Sequence, residues 1–199
     1  NREVLNLYES VFREHPDKGA PHRNDLRWRD EHTQHLNPVD IPRFAKLGVI
    51  ASMQAIHCTS DAPYVLPRLG PQRAKEGAYV WRSLIDSGAV VTNGTDAPVE
   101  EVSPIASFYA AVSRKLKDGT RFYPEQRMTR EEALRSYTLN NAYAAFEEKS
   151  KGSLAPGKLA DITVLSKDIM TVPEDEIPAT QVLYTIVGGK IAYAAPSLK

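Results

Sequence analysis

The chain has 199 residues, with 25 basic and 25 acidic side chains and a formal net charge of zero. That balance excludes the strongly basic surface on which electrostatic nucleic-acid binding depends. No apolar run approaches the roughly 18 residues needed to cross a bilayer, and a single cysteine, Cys58, excludes a disulfide framework or a cysteine-rich zinc module.

The length suits one domain with a real core, or one domain and a small appendage. Asn1-Arg2-Glu3-Val4 lacks the apolar stretch of a secretory signal, and a reducing, cytoplasmic setting is the expectation. Val4, Leu5, Leu7, Tyr8, Val11 and Phe12 already fall at helical spacing, with no cap ahead of them. This is the expectation for the back part of a longer protein. Residues 15–25 are polar and turn-rich. Leu26 to His32 reads as a strand, and Pro38 to Leu47 as a helix with proline in its first turn, closed by Gly48. Val49 to Gln54 is a short apolar strand. Ala55 to Pro71 reads as irregular, and residues 73–87 as a helix closed by Gly88. Ala89 to Gly94 is another apolar strand, and a proline-containing loop, 96–104, leads into a helix through about residue 115. Thr129-Arg130-Glu131-Glu132 is a capping box that opens a helix through about residue 146.

Short apolar strands alternating with helices predict an α/β fold with a parallel sheet covered on its faces. The last fifty residues differ. Lys151 to Lys158 is turn material, Ala160 to Leu165 a strand, and Val182 to Tyr193 a hairpin around Gly188-Gly189. A small β unit therefore follows the α/β part.

Two places could carry chemistry. Glu31-His32-x-x-His35 follows one strand, and Gly94-Thr95-Asp96 follows another. Ligands of parallel α/β folds bind at the carboxyl ends of strands, so His32 and Asp96 are expected on one rim. Imidazole and carboxylate are ligands for first-row metals, and an aspartate beside a metal-activated water is a general base. Each residue also has a plainer reading, His32 as a hydrogen-bonded strand-end residue and Asp96 as a helix cap. His57, after the middle strand, is a third candidate on the rim. His35 lies one helical turn from His32. Cys58 pairs poorly with His57 as a nucleophile, because adjacent side chains of an extended segment point apart. Trp28 and Trp81 read as core. Asp61, Tyr64 and Arg68 belong to the irregular stretch and are expected to shape a pocket.

The ordered set Arg29 to His35, "IPRFAKLGVIASMQ" (41–54), "YVWRSLIDSGA" (79–89), "GTDAPVE" (94–100), "YPEQRMTREEALRSYTLNNAYAAFEE" (123–148), "KGSLAPGKLADITVL" (151–165) and "TIVGGKIAY" (185–193) resembles the C-terminal part of amidohydrolase-superfamily metal-dependent hydrolases, in the branch called amidohydrolase family 3. The resemblance implies the C-terminal portion of a (β/α)8 TIM barrel, about strands six to eight, over residues 1–148. Residues 149–199 would be the C-terminal share of a small β-sandwich. It implies a divalent metal, zinc by preference, as one or two ions. His32 would be a ligand, and Asp96 a ligand and the proton acceptor. His57 would touch substrate, with His35 and Glu31 as further substrate residues. The reaction implied is hydrolysis of a carbon–nitrogen, amide-type bond of a small molecule, with neither nucleic acid nor membrane as partner.

The family's His-x-His pair, its carboxylated lysine or equivalent acid and its strand-five histidine are missing from these 199 residues. The chain is therefore expected to associate with a missing N-terminal portion or with itself, through open sheet edges. By itself it is expected to lack activity, and a non-catalytic assembly or regulatory remnant is the alternative. Two local departures stand out. Asp30 occupies a position where an aliphatic residue is expected, and Ala55-Ile56 replaces a proline-containing stretch.

Overall fold

A computed structural model describes residues 1–15 and 25–196. The turn-rich reading of 15–25 falls almost wholly outside these, as do the last three residues of the C-terminal unit. Helix α1, Arg2–Glu14, buries Leu5. Its Tyr8 and Phe12 rings close on Trp28, with centroids 4.7 and 5.1 Å away.

Three strands form within the stretches read as strands, each shorter than its stretch: β1, Arg29–Glu31; β2, Ile50–Met53; β3, Val91–Asn93. They pair in the order β1-β2-β3, all parallel, with Asp30 level with Ala51 and Ala51 level with Val91. Between β1 and β2, a 3-10 turn over Pro38–Asp40 leads into α2, Ile41–Leu47, which closes on Gly48 at φ 65°.

The segment expected to be irregular is helical. Helix α3 runs Ala55–Gly77 and is interrupted only at Gly70, at φ 75°. Pro63, Pro67 and Pro71 recur every fourth residue and all are exposed. The backbone donors they lack therefore fall along one solvent-facing stripe, while Cys58, Ala62 and Val65 bury the opposite one. The break at Gly70 comes just before Pro71, whose ring disfavours helical backbone in the preceding residue.

The single helix expected over 73–87 is two. Helix α3 ends at Gly77, where the Leu36 N–H donates to the Gly77 carbonyl over 2.9 Å. A Cβ at Gly77 would lie 2.0 Å from the Leu36 oxygen, so glycine alone fits that crossing. Tyr79 then turns through φ 54°, and α4 occupies Trp81–Asp86. Helix α5, Pro104–Ser113, starts on Ser103, whose hydroxyl accepts from the Ala106 N–H. The capping box opens α6, Arg130–Tyr137. The expected continuation to 146 breaks at Thr138, and α7 is Leu139–Ala144.

That break matters to the sheet. In parallel pairing alternate residues bond to each neighbour. The bonds Ile50 N to Trp28 O and Ala51 N to Val90 O leave the carbonyls of Arg29, Glu31, Val91 and Asn93 turned away from β2. All four are taken. Tyr8 Oη donates to Arg29 O and the Thr33 N–H to Glu31 O, each over 2.9 Å. The Asn140 and Asn141 amides donate to Val91 O and Asn93 O, again over 2.9 Å. The outer carbonyls of the expected open edges thus already have partners.

The C-terminal unit is a separate antiparallel sheet of β4, Ile162–Leu165, β5, Val182–Val187, and β6, Lys190–Ala194. Gly188 and Gly189 stand at φ 56° and 78°, as a two-residue hairpin turn requires. The link between β4 and β5 docks on the α/β part. Arg130 donates to the carbonyls of Ile169 and Val172, Arg121 pairs with Glu174 and Lys115 with Asp175. Ile169 and Ile177 are buried in the common core. The sheet itself has no fully buried residue.

Asp30 is the one buried residue of β1, and its Oδ2 has no hydrogen-bond partner. Burial raises its carboxyl pKa. The cost of ionising it is therefore absent below the ordinary carboxylate range and fully present above the raised folded value. Asp30→Val is expected to stabilise the fold at pH 7 by about 1–3 kcal/mol, with the gain shrinking toward pH 3. Urea denaturation at the two pH values checks this; an equal gain at both would assign the effect to packing rather than charge.

Candidate metal centre

The parallel sheet delivers three side chains to one rim. His32 follows β1 directly and stands in the left-handed region at φ 68°, as does Thr33 at φ 46°. The Thr33 hydroxyl donates to Asp30 O over 2.7 Å and its N–H to Glu31 O, so the turn is tied back to its own strand. His57 lies in the first turn of α3, where helix N–H groups lack internal partners. Two of these are met by side chains from other elements. The Ala55 N–H donates to Asn93 Oδ1 over 2.9 Å, and the Ile56 N–H to Ser107 Oγ over 3.2 Å. Asp96 follows β3 at φ 58°. The Gly94 carbonyl before it accepts from the Ser107 and Tyr137 hydroxyls, each over 3.3 Å, and the Asp96 carbonyl accepts from the Val99 N–H over 2.8 Å.

One donor atom from each of His32, His57 and Asp96 lies within 4.8 Å of the others. His57 Nε2 is 3.3 Å from Asp96 Oδ2, and His32 Nδ1 is 4.0 Å from the same oxygen. His57 is buried, Asp96 half-buried and His32 exposed, so the cluster opens to solvent on the β1 side. Two imidazole nitrogens and a carboxylate oxygen are the donors a first-row divalent ion takes. His57 has a supporting partner on its far nitrogen, with Nδ1 3.1 Å from Glu100 Oε1, whereas the His32 nitrogen that faces Asp96, Nδ1, is also 3.0 Å from Gln54 Oε1. The residues present therefore fit a bound metal.

The remaining candidates lie outside this cluster. Glu31 is exposed and pairs with Arg29 over 3.3 Å. His35 forms a bridge with Ala78 and meets the Tyr79 ring edge-on at 5.3 Å. Asp61 accepts from the Tyr79 hydroxyl, while Tyr64 and Arg68 are exposed on α3. Cys58 is buried and its thiol is pushed up to about 11 by burial, which leaves little thiolate for nucleophilic attack. Trp81 is core. Sequence reasoning missed Gln54, Ser60, Ser107 and Glu100. Only Glu100 left a signal: an acid four residues after Asp96 in a turn.

The model of the family described as "Amidohydrolase family" matches residues 2–193. The chain belongs to the amidohydrolase family. It is 38% identical over 194 residues to the protein LONG AFTER FAR-RED 3 of Arabidopsis thaliana, covering 97% of this chain and 32% of that one. It is 36% identical over 112 residues to an N-substituted formamide deformylase of Arthrobacter pascens, covering 56% and 21%. Among solved structures it resembles an uncharacterized metal-dependent hydrolase from Pyrococcus horikoshii OT3 with a TM-score of 0.71 and 26% identity, covering 86% and 32%. This amidohydrolase chain thus spans about a third or less of the length of the relatives it matches. Among its described residues no helix is long and apolar enough to cross a membrane.

Left-handed backbone in a non-glycine residue costs about 1 kcal/mol. His32→Gly and His32→Ala both remove the imidazole. The glycine variant is expected to be the more stable by about 1 kcal/mol, read from thermal or urea denaturation. Equal stability would mean that the turn at His32 holds no strain.

Proposed function

We propose that this chain carries the C-terminal part of a metal-dependent hydrolase that cleaves a carbon–nitrogen, amide-type bond of a small molecule. The observation that most supports this reading is the convergence of His32, His57 and Asp96 within 4.8 Å at the carboxyl ends of parallel strands. His32 and Asp96 would hold a divalent metal, zinc on the chemistry of the donors. His57 is the third donor that this chain offers by itself; where further ligands are supplied from elsewhere, it is free to turn to substrate. When bound, the metal would acidify a water and polarise the scissile carbonyl. Asp96 accepts the proton of the attacking water and returns it to the departing nitrogen. His35 and Glu31, neighbours of His32 in sequence, would contact substrate. The N-substituted formamide deformylase among the relatives supports the choice of a carbon–nitrogen bond.

The three parallel units correspond, in this reading, to strands six to eight of a (β/α)8 barrel, and β4–β6 to part of a sandwich. The registers place Ile162, Val164, Tyr184, Ile186 and Ile191 across one face of β4–β6, and none of these is fully buried. An apolar sheet face of this kind needs cover, and relatives about three times as long have chain to supply it. The same face favours the second reading, a non-catalytic remnant that binds partners and holds no metal.

Metal content separates the two. After dialysis against zinc, the chain is expected to retain about one ion, measured by plasma mass spectrometry. Asp96→Asn should weaken retention about tenfold or more. No retained zinc in the unaltered chain sinks the hydrolase reading and leaves the remnant. The association is tested apart from the metal by analytical ultracentrifugation. The chain is expected to self-associate, and Ile191→Lys to shift it toward monomer. A monomer that unfolds in one cooperative step would falsify the need for cover.

A further inference from the structure

Glu100 lies in the turn after β3, and the Glu100 N–H approaches the Asp96 carbonyl at 3.4 Å, so the two acids share one turn. They do not act alike. Asp96 Oδ2 meets Nε2 of His57, while Glu100 Oε1 meets Nδ1, the opposite ring nitrogen, over 3.1 Å. The Ser60 hydroxyl, one turn along α3 from His57, donates to the same Glu100 oxygen. His57 and Glu100 side chains are 7% and 20% exposed, so water competes little for this contact.

We propose that Glu100, held by Ser60, is a positioning residue that fixes the ring orientation and tautomer of His57, presenting its Nε2 lone pair to the cluster with Asp96 and His32. An ionised carboxylate can only accept a hydrogen bond. Both carboxylates at this ring therefore ask for a proton and a neutral ring has one; Glu100, the nearer at 3.1 Å against 3.3 Å and the one that Ser60 holds, takes it through Nδ1, which leaves the lone pair on Nε2. Imidazoles that bind metals are commonly oriented in this way by a second group on the far nitrogen, and removing that group weakens binding. The Nε2 lone pair then lies 3.3 Å from an anionic oxygen, an arrangement that a cation between the two would stabilise. The far side of His57 is thus committed to holding the ring, and Glu100 itself does not enter the donor set.

This inference rests on the reading of the cluster as a metal centre, and two readouts keep the two claims apart. The first is the tautomer of His57 in the zinc-free chain, from long-range proton–nitrogen NMR of nitrogen-15 histidine, recorded where the rings are neutral. His57→Gln assigns the signals. The unaltered chain is expected to show the Nδ1–H form. Glu100→Gln, whose amide can also donate, should shift population to the Nε2–H form, and Ser60→Ala should shift it in the same direction by less. The second readout is zinc affinity by chelator competition, expected to fall about 10–100-fold in Glu100→Gln. An Nε2–H tautomer in the unaltered chain overturns the proposal, as does a Glu100→Gln variant in which tautomer and affinity are both unchanged. If the tautomer shifts as expected but the unaltered chain binds no zinc, the positioning role stands and the metal reading fails. Because the first measurement is made on the unaltered chain, the proposal stays open to refutation even if a variant misfolds.

Discussion

The site depends on three short strands running in the same direction and in step. Glu31 is level with Ser52, and Ser52 with Thr92, so the chain leaves all three strands on one side of the sheet. Within a few residues of leaving, each segment presents one donor: His32, His57 or Asp96. An antiparallel member would carry its exit to the far end of the sheet, and a slip of one residue would move its side chains to the other face. The register is held by burial of Ala51 and Val91 among the helices, and by the side-chain amides and hydroxyl that occupy the sheet's outer carbonyls.

Around that frame the molecule accepts local costs. His32 and Asp96 both occupy left-handed backbone, which L-residues avoid, and the two turns persist because neighbouring groups over-determine them. Thr33 ties the first turn to β1. Ser107 and Tyr137 hold the carbonyl that precedes the second. Ser107 also serves the first turn of α3, so one hydroxyl on α5 links the placement of His57 to that of Asp96. Asp30 is a cost of another kind. It is a carboxyl in the one buried position of β1, and no role in the cluster explains it.

The two sheets are satisfied to different degrees. The parallel sheet has helices over it and side chains on its outer carbonyls. The antiparallel sheet is tied on through the segment between β4 and β5, by Arg130, Arg121 and Lys115, and through Leu165 of β4, which packs on the core, while its strands remain half-exposed or exposed. The chain is about a third as long as its Arabidopsis thaliana relative, and in the proposed reading these half-exposed strands would meet the rest of a larger fold.

Local rules were enough for much of this. Gly188-Gly189, the Thr129–Glu132 box and Gly48 act within a few residues, and the apolar runs of β2 and β3 are short enough to exclude helix. His32 and Asp96 were legible for the same reason, since a polar residue just beyond a buried strand falls on the rim by construction. Three prolines hid α3, because proline weighs against helix locally while the burial of Cys58, Ala62 and Val65 weighs for it through the whole core. The break at Gly77 depended on Leu36, a residue from another element that no local window contains. Glu100 and His57 are 43 residues apart, and nothing in either stretch announces the other. The sequence by itself therefore determined the strands, the capped helix starts and the rim on which His32 and Asp96 fall, because periodicity and capping are short-range. Only the tertiary structure decided which side chains meet there and which nitrogen of His57 faces the centre, because those contacts join segments that come together through packing alone.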